Sequence, residues 1–437
     1  MKKKSILLAI LICVLFFILA NASVYKDAPT SDEMSHIPVG YYYLQTGRYF
    51  INPEHPPLTK DLAALPLALL QPEFPEVPEN EIHNPQWEWG KIFLFDENND
   101  PWQLTFWARF SVIFFNSLLL FILFLSVRKA WNEKAALISI FLIATSAFSL
   151  AHASLVTLDF MPTMFFVIGF VWFSIYMQQK KISSFLLTCA FLAAALLSKF
   201  SFALFIPVAF LAGLIYVIFI HRKWKQTGLY IVKFALLSFI IFLAIGIFYA
   251  PHVFNMETDL MVTQIDNTYP DGWPQIGQDV MDLLAKTNNP FLKGIAEYGV
   301  GVVMVFSRIA GAWQTIYFMG GVYGSEGAGL LYFPLLFVTK LSIPVLALTL
   351  LALILASFNI IKNNLPNGQA GKKLKFKVSH FNRQIINYAK NPLSFFLLFS
   401  ILIYGLITAF SSFQIGLRHI FPIVMATFLL VAKVIAD

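Results

Sequence analysis

The stretch 5-SILLAILICVLFFILANA-22 indicates a membrane protein, because it carries no charged residue over a length that can cross a membrane. A hydrocarbon core about 30 Å thick needs about 20 apolar residues in a helix. The preceding lysines, together with Ala20 and Ala22 near the end of the run, also match a secretory signal peptide. An uncleaved first span is favoured, because the chain that follows is itself rich in such runs.

The rest of the chain repeats this pattern. Of its 437 residues, 58% are hydrophobic and 13% are charged, whereas soluble domains are about 45–50% apolar and about 25% charged. The sequence therefore predicts an all-α polytopic membrane protein with about ten transmembrane helices, in a range from nine to twelve. The predicted spans are 5–22, 105–127, 135–153, 160–177, 183–198, 202–220, 229–250, 338–361, 393–411 and 420–436. Cys13 and Cys189 lie inside these runs and are expected to be packing residues.

The distribution of charge predicts the orientation of the spans. With Met1 in the cytoplasm, the inward connections contain 18 Lys and Arg residues and one acid, Glu133. The two long outward loops, 23–104 and 251–337, contain 7 Lys and Arg residues and 21 Asp and Glu residues. Positive residues accumulate in cytoplasmic loops. Both long loops are therefore predicted to be extracytoplasmic, and the net charge of +7 reflects topology rather than binding to nucleic acid.

Three loop segments carry an amphipathic or basic pattern. The stretches 58–70 and 295–324 predict helices that lie along the membrane surface, within the two long loops. The cytoplasmic loop 362–392 is basic with interspersed apolar residues, and it is expected to rest on anionic lipid.

Three acids are candidates for chemistry at the outer surface. Asp32 and Glu33 follow the first span, and Asp159 is the only acid between residues 134 and 256. Loop solvation is the alternative for the first two, and capping of a helix that begins at Phe160 is the alternative for Asp159. An ionisable group beside apolar spans is costly, and is therefore usually paired or functional. A site built between helix ends would unite these acids.

Cations also fall at the outward ends of spans, where positive charge is disfavoured. They are Arg109, Lys199, Lys340, Arg418 and His419, with His55 and Lys60 in the first loop. Snorkelling to lipid headgroups is the alternative for each of them. Together they predict an anion pocket, and a phosphate on a lipid carrier is the anion expected there, because Arg and Lys bind phosphate by charge-assisted hydrogen bonds.

Acids and phosphate-binding cations at one membrane surface indicate transfer of a sugar from a lipid phosphate. Cations would stabilise the leaving phosphate, and a carboxylate would take the proton from the acceptor hydroxyl. A Gly-rich phosphate loop, which a nucleotide donor would call for, is missing from the sequence.

Four segments of the chain resemble the lipid-carrier-dependent glycosyltransferases of the GT-C type. They are Asp32–Glu33 with His36, the run 47-GRYFINPEHPPLTKDLAALP-66, the run 155-LVTLD-159, and the Gly-rich segment 317-YFMGGVYGSEGAGLLYFPLLFVTKLSIPVL-346. The resemblance is strongest to the protein O-mannosyltransferase and aminoarabinose-transferase branch, and it covers about residues 25–425 in order.

The resemblance implies roles for individual residues. Asp32 is the expected general base, and Glu33 and Asp159 are expected to support the site. The residues expected near the donor phosphate are His55, Lys60, Arg109, Lys340 and Arg418, and the further candidates are His36, Lys199 and His419.

Two features depart from the family pattern. The resemblance implies further spans after the GLRH segment, whereas this sequence has one there, so a short family member and a truncated product both remain open. The trefoil-type modules of the protein-mannosylating branch are not in the sequence either, which leaves protein as the acceptor open. No cofactor is implied. A divalent metal at 96-DENND-100 is the weaker reading of that segment, and a solvated turn or helix cap is the favoured one.

The sequence thus predicts an inverting glycosyltransferase in the cytoplasmic membrane, with its active site outside. The chain is expected to form a single domain, 1–437, with a catalytic first loop and an acceptor-side second loop. Trp273 and Trp313 in the second loop could stack on sugars, or anchor at the interface. The expected partners are a polyprenyl-phosphate sugar, membrane lipids and a glycolipid, glycan or protein acceptor. A non-enzymatic binder or flippase and a solute transporter are the alternatives.

Overall fold

The computed structural model describes residues 2–76, 85–221, 224–270, 272–311, 315–364 and 391–437. The helices in order are α1 Lys2–Ser23, α2 Ser31–Thr46, α3 Leu58–Ala64, α4 Leu67–Leu70, α5 Gln86–Leu94, α6 Pro101–Ala130, α7 Glu133–Thr145, α8 Ala147–Ala153, α9 Phe160–Gln179, α10 Ile182–Leu196, α11 Phe205–His221, α12 Trp224–Tyr249, α13 Thr258–Thr268, α14 Gln275–Ala285, α15 Pro290–Gly311, α16 Tyr332–Lys340, α17 Ile343–Asn364, α18 Pro392–Ala409 and α19 Phe421–Ala436. Strands β1 Ile316–Phe318 and β2 Gly321–Tyr323 form one antiparallel hairpin. Short 3₁₀ turns precede α11 and α19 and follow α12. The basic loop 362–392 lies almost entirely outside the described residues.

The all-α polytopic prediction is confirmed. Among the described residues, 8 helices are long and apolar enough to cross a membrane, or up to 10 if each of two bent pairs is one span. The predicted spans 135–153 and 338–361 correspond to these pairs, bent by 70° between α7 and α8 and by 114° between α16 and α17. Pro344 in the first turn of α17 lacks an N–H and cannot continue an upstream helix, which accounts for the sharper bend.

Among the described residues, helix α15 is the one element that is long and apolar enough to cross a membrane although the sequence interpretation placed it in a loop. Both of its ends nevertheless contact segments of the two loops that are predicted to lie outside. Near its start, the Lys293 ammonium donates to the Met256 carbonyl at 3.2 Å and to Thr258 at 3.1 Å. Near its end, Arg308 forms an ion pair with Glu54. That α3 and α15 lie along a membrane surface stays a prediction.

Helix α9 lies at the centre of the bundle. It packs against α6, α10, α18 and α19, and 78% of its apolar segment is buried, against 28% for that of α12. The side chains are apolar around its whole circumference, as expected of a helix surrounded by others. Its first turn follows Asp159 directly, so the core holds this acid at a fixed position.

Helix α2 carries the acidic motif and is fixed at both ends. At its start the Glu33 carboxylate accepts a hydrogen bond from the Thr30 N–H at 2.9 Å. At its end Gly47 adopts φ 61°, and its N–H donates to the Tyr43 carbonyl at 3.0 Å. A left-handed residue at this position closes the last turn, and glycine adopts that conformation without a steric penalty.

Close packing of α2 against its neighbours depends on glycine. A Cβ on Gly40 would collide with the Lys60 carbonyl of α3. We expect Gly40→Ala to destabilise the protein by about 1–3 kcal/mol, the usual cost of overpacking. Gly228→Ala is a matched control in α12, where a Cβ would meet nothing within 4 Å. Its helix propensity should raise stability by up to about 1 kcal/mol. Thermal unfolding in detergent measures both, and equal shifts would contradict this account.

Candidate active site

A cavity of about 390 Å³ lies at one end of the helix bundle. Its walls come from the loops and helix ends around α2, α5, α9, α15 and α19. The lining residues are Asp32, His36, Asn52, Glu54, His55, Gln86, Trp87, Leu158, Asp159, Lys199, Phe200, Ser201, Val305, Arg308, Ile309, Phe413, Ile415, Arg418 and His419. Seven of the eleven residues singled out in the sequence are therefore brought together in one place, although almost 390 positions separate the first of them from the last.

Asp32 is the more accessible member of the acidic pair. Its side chain is 34% exposed and faces the cavity. One carboxylate oxygen accepts a hydrogen bond from Nη1 of Arg418 at 2.8 Å. The pair joins the first turn of α2 to the turn before α19, and it leaves part of the carboxylate open to a ligand in the cavity.

Glu33 has the opposite environment and lies under the site. It is fully buried, and its two oxygens accept from the Arg109 guanidinium at 2.8 Å and 2.7 Å. They also accept from Thr30 and from the Val156 N–H at 3.0 Å. Burial raises the pKa of Glu33, but these donors outweigh it and the net pKa is lowered, so the carboxylate is ionised. Glu33 therefore ties α2 to α6 and to the segment before α9.

Asp159 is buried at the start of α9 and is paired with a cation. Nζ of Lys199 donates to its Oδ1 at 2.7 Å, and Nδ1 of His152 lies 3.7 Å from its Oδ2. Burial opposes ionisation of Asp159, but the charges of Lys199, Arg418 and His152 prevail and lower its pKa. The residue occupies the N-cap position of α9, although its side chain makes no capping hydrogen bond.

Glu54 is a cavity residue that the sequence interpretation did not assign to the site. Its Oε1 accepts from Nε2 of Gln86 at 2.7 Å, and its Oε2 pairs with Arg308 of α15. Glu54 could have been recognised from the sequence, because it directly precedes the HPPL-x-K run. Arg308 gave no such signal, because it lies in an apolar stretch about 250 positions away.

The cavity is thus lined by three acid–cation pairs, Asp32–Arg418, Asp159–Lys199 and Glu54–Arg308. Each pair joins segments that are remote in sequence. Arg418 and Arg308 are 36% and 52% exposed, so their guanidinium groups retain donors that can face a ligand. The arrangement balances three cations against three carboxylates, and Asp32 is the accessible one of those carboxylates.

Two histidines line the wall between Asp32 and Glu54, with ring centroids 5.4 Å apart. Burial lowers the pKa of His36 and lowers that of His55 well below the ordinary value, so both are neutral at pH 7. Nδ1 of His36 lies 2.9 Å from the Val156 carbonyl, which only accepts. The proton of His36 is therefore on Nδ1, and its Nε2 is a proton acceptor.

Lys60, Arg109 and Lys340 do not line the cavity. The ammonium group of Lys60 is fully buried and donates to the Asn52 and His55 carbonyls at 3.1 Å and 2.7 Å. The Arg109 guanidinium donates hydrogen bonds to Glu33 and to the carbonyls of Asp27 and Ala28, the latter two both at 2.9 Å. Lys340 is exposed at the end of α16. The phosphate role expected of these three cations stays a prediction, and in this structure they do not line the cavity.

Other sequence candidates have structural partners. The His419 ring stacks on Phe333 at 6.1 Å and lines the cavity. In 96-DENND-100, Asp96 accepts from the Asn98 N–H and Asp100 caps α6 through the Trp102 N–H. Among the described residues, no group of three or more His, Cys, Asp or Glu side chains is placed to hold a metal ion.

Neither of the two tryptophans named in the second loop is among the described residues that line the cavity. Trp273 packs on Tyr269 away from the cavity, and Trp313 lies outside the described residues.

Residues 7–261 match the model of the dolichyl-phosphate-mannose-protein mannosyltransferase family. The match includes Asp32, Glu33, the HPPL-x-K run and Asp159, and it covers more than half of the chain. The chain belongs to this family. The family assignment agrees with the sequence resemblance to GT-C glycosyltransferases, and it covers the part of the chain that supplies most of the cavity's acids. No match was found among curated proteins.

Several solved structures of membrane-bound glycosyl-transferring enzymes are similar to the chain. For the S. cerevisiae protein O-mannosyltransferase Pmt1–Pmt2 complex bound to the sugar donor, identity is 19% and the TM-score 0.40, over 59% of this chain and 34% of that one. For the Archaeoglobus fulgidus oligosaccharyltransferase with Zn and sulfate, the sequence identity is 15% and the TM-score is 0.48. The match covers 98% of this chain and 48% of that one. For ArnT from Cupriavidus metallidurans bound to undecaprenyl phosphate, the sequence identity is 10% and the TM-score is 0.36. The match covers 98% of this chain and 77% of that one. The chain spans less than half the length of the first two.

Proposed function

We propose that the chain is an inverting glycosyltransferase that moves a sugar from a polyprenyl-phosphate donor to an acceptor on the extracytoplasmic side of the membrane. The observation that carries this proposal is the cavity in which the partly exposed carboxylate of Asp32 lies together with Lys199, Arg308 and Arg418. Membership of the mannosyltransferase family supports it. Mannose is the sugar that the family description favours.

The donor phosphate binds to the cations of the three pairs. Arg418 and Arg308 are the primary candidates, because both are partly exposed and each guanidinium has five N–H donors. Lys199 is 20% exposed and adds a third charge, held in place by Asp159. Val305, Ile309, Phe413 and Ile415 form an apolar wall beside these cations. This wall suits the first isoprene units of the carrier.

Transfer then proceeds by a single displacement. Asp32 takes the proton of the acceptor hydroxyl as its oxygen forms a bond to the anomeric carbon. The bond between that carbon and the phosphate oxygen breaks, and its electron pair leaves with the polyprenyl phosphate. Arg418 and Lys199 stabilise the charge that develops on the phosphate. Attack opposite the leaving group inverts the anomeric configuration.

The other acids in and near the cavity are less suited than Asp32 to act as the general base. Asp159 and Glu54 are buried and each is held by its own cation. Glu33 does not reach the cavity and serves to position the first turn of α2. His36 offers a neutral Nε2 one helical turn from Asp32 and is suited to accept the proton from it afterwards.

We infer that this site belongs to a single domain with the cavity on the outer side of the cytoplasmic membrane. The charge bias of the loops supports this orientation. Loop 23–104 supplies the base, and loop 251–337 supplies Arg308 and the acceptor side. The acceptor is a hydroxyl of a glycolipid, a glycan or a protein.

The test is a transfer assay on the full-length protein in lipid vesicles. Polyprenyl-phosphate mannose carrying a radiolabel is the donor, and membranes from cells that lack this chain supply acceptors. We expect label to enter an acid-stable product and free polyprenyl phosphate to appear in equal amount. Donor binding without any loss of donor would contradict the enzyme and favour a carrier-binding protein.

Orientation can be measured with single cysteines. Glu97 and Lys181 are both exposed and lie at opposite ends of the bundle, and the native Cys13 and Cys189 are buried. We expect a membrane-impermeant maleimide to label Glu97→Cys in intact cells, and to label Lys181→Cys only after permeabilisation. The reverse pattern would place the cavity on the cytoplasmic side.

A further inference from the structure

A second polar feature lies at the end of the bundle opposite the cavity, in a groove between α9, α11 and α12. Asp159 precedes α9 at the cavity and Lys180 follows its last residue, and a helix of this length spans about 30 Å. The groove is therefore a separate site. Its lining is mostly aromatic and aliphatic, with Lys180, Gln226 and Lys233 as the polar exceptions at its rim and wall.

Lys233 is the residue in this groove that calls for an explanation. It lies well inside α12, with apolar residues at most neighbouring positions. Its side chain is half-buried, and its ammonium group lies 5.8 Å from the centroid of the Tyr176 ring. Among the described residues no carboxylate forms an ion pair with it. A cation at this depth is costly unless a partner compensates it, and the ring contact contributes only about 0.5–2 kcal/mol.

The rim of the groove is positive as well. Lys180 lines it from the end of α9, and Gln226 adds a polar side chain from the first turn of α12. None of the lining residues is acidic. The adjoining connections 178–182 and 221–228 contain five Lys and Arg residues and no acid. The groove therefore presents two ammonium groups without an internal counter-ion.

The floor of the groove is apolar, and Phe173, Phe234 and Leu237 form it. The groove as a whole has a volume of about 40 Å³. Its apolar floor suits a length of hydrocarbon chain and offers a phosphate headgroup no polar partner. A ligand that fits both parts keeps its anionic group at the rim, between the lysines, and lays its chain on the floor.

We propose that this groove binds a membrane lipid with an anionic phosphate headgroup, in the leaflet opposite the cavity. Basic pockets between transmembrane helices bind such headgroups, and the unpaired Lys233 supplies the counter-ion. Snorkelling of Lys233 to bulk headgroups is the competing account. The two differ in selectivity, since snorkelling does not require one lipid to be held on the protein. The proposal is independent of the sugar-transfer function.

The experiment is lipid binding to the purified full-length protein, measured by native mass spectrometry. Phosphatidylglycerol and phosphatidylcholine with identical acyl chains are compared, because they differ in net charge and share their hydrocarbon part. We expect phosphatidylglycerol to be retained preferentially, and Lys233→Gln to weaken its binding by about fivefold or more, as loss of one lysine contact predicts. Undecaprenyl phosphate, added in competition, tells whether a phospholipid or the sugar carrier is the better ligand.

Matched variants make the result specific. Lys225→Gln removes an exposed lysine at the same end of the bundle but outside the groove, and should leave retention unchanged. Lys233→Arg keeps the charge and should restore binding. A melting temperature for each variant separates loss of the ligand from loss of the fold. Equal retention of the two phospholipids, or equal effects of Lys233→Gln and Lys225→Gln, would overturn the proposal.

Discussion

Replacing Asp32 with Asn is expected to reduce sugar transfer by about 10²–10⁴-fold, the usual contribution of a general base. The change keeps the size of the side chain and removes the proton acceptor that faces the cavity. Binding of the donor should survive, because the substitution also frees Arg418 from its carboxylate partner. The measurement is kcat for transfer, with the donor Kd determined separately on the same preparation.

Asp27→Asn is the matched control for this variant. Asp27 is an exposed acid in the same loop that does not line the cavity, so its loss should leave transfer unchanged. Full activity in Asp32→Asn would rule out Asp32 as the base. A loss of donor affinity with kcat preserved would instead assign Asp32 to donor binding.

Replacing Arg109 with Met is expected to cost about 3–5 kcal/mol of stability, because it strands a buried charge. Arg109 and Glu33 are 2% and 0% exposed, and the guanidinium also serves the carbonyls of Asp27 and Ala28. Without it, the fully buried Glu33 carboxylate keeps only Thr30 and Val156 as donors. Thermal unfolding in detergent and the yield of monodisperse protein measure the loss.

The double variant Arg109→Met, Glu33→Gln tests the cause. Removing both charges should recover part of the stability, since the stranded carboxylate is gone. Lys286→Gln is the neutral control, because the Lys286 side chain is 59% exposed in its ion pair with Asp282. A folded Arg109→Met protein with only a raised donor Kd would return Arg109 to the phosphate site.

Low pH should destabilise the protein through the Glu33–Arg109 pair. The pKa of Glu33 is lowered in the folded protein, so its contribution to stability is full above the unfolded pKa of about 4.3 and is lost as pH falls through the lower, folded value. Stability of the Glu33→Gln variant should therefore depend less on pH in the acidic range than that of the unaltered protein. Parallel unfolding curves down to low pH would contradict the ionised state of Glu33.

The adjacent acids show how far sequence reasoning reached. The motif identified Asp32 and Glu33 together, but neighbouring residues on a helix point about 100° apart. Which of them enters the cavity depends on how α2 is rotated against α6, which is decided by Arg109 and by the Val156 N–H. Lys60 illustrates the same limit. Its motif was recognised, yet burial turns its ammonium group toward Asn52 and His55.

Apolar run length, charge bias and a local motif are properties of contiguous residues, and they were enough to predict the membrane fold, the orientation and two of the three cavity acids. The pairing of the charges could be read only from the fold in three dimensions. Glu54 meets Arg308, and Asp32 meets Arg418, across hundreds of positions. A charge beside apolar segments requires a partner that is close in space, whatever the distance along the chain. That partner is selected by helix packing, which no local pattern encodes.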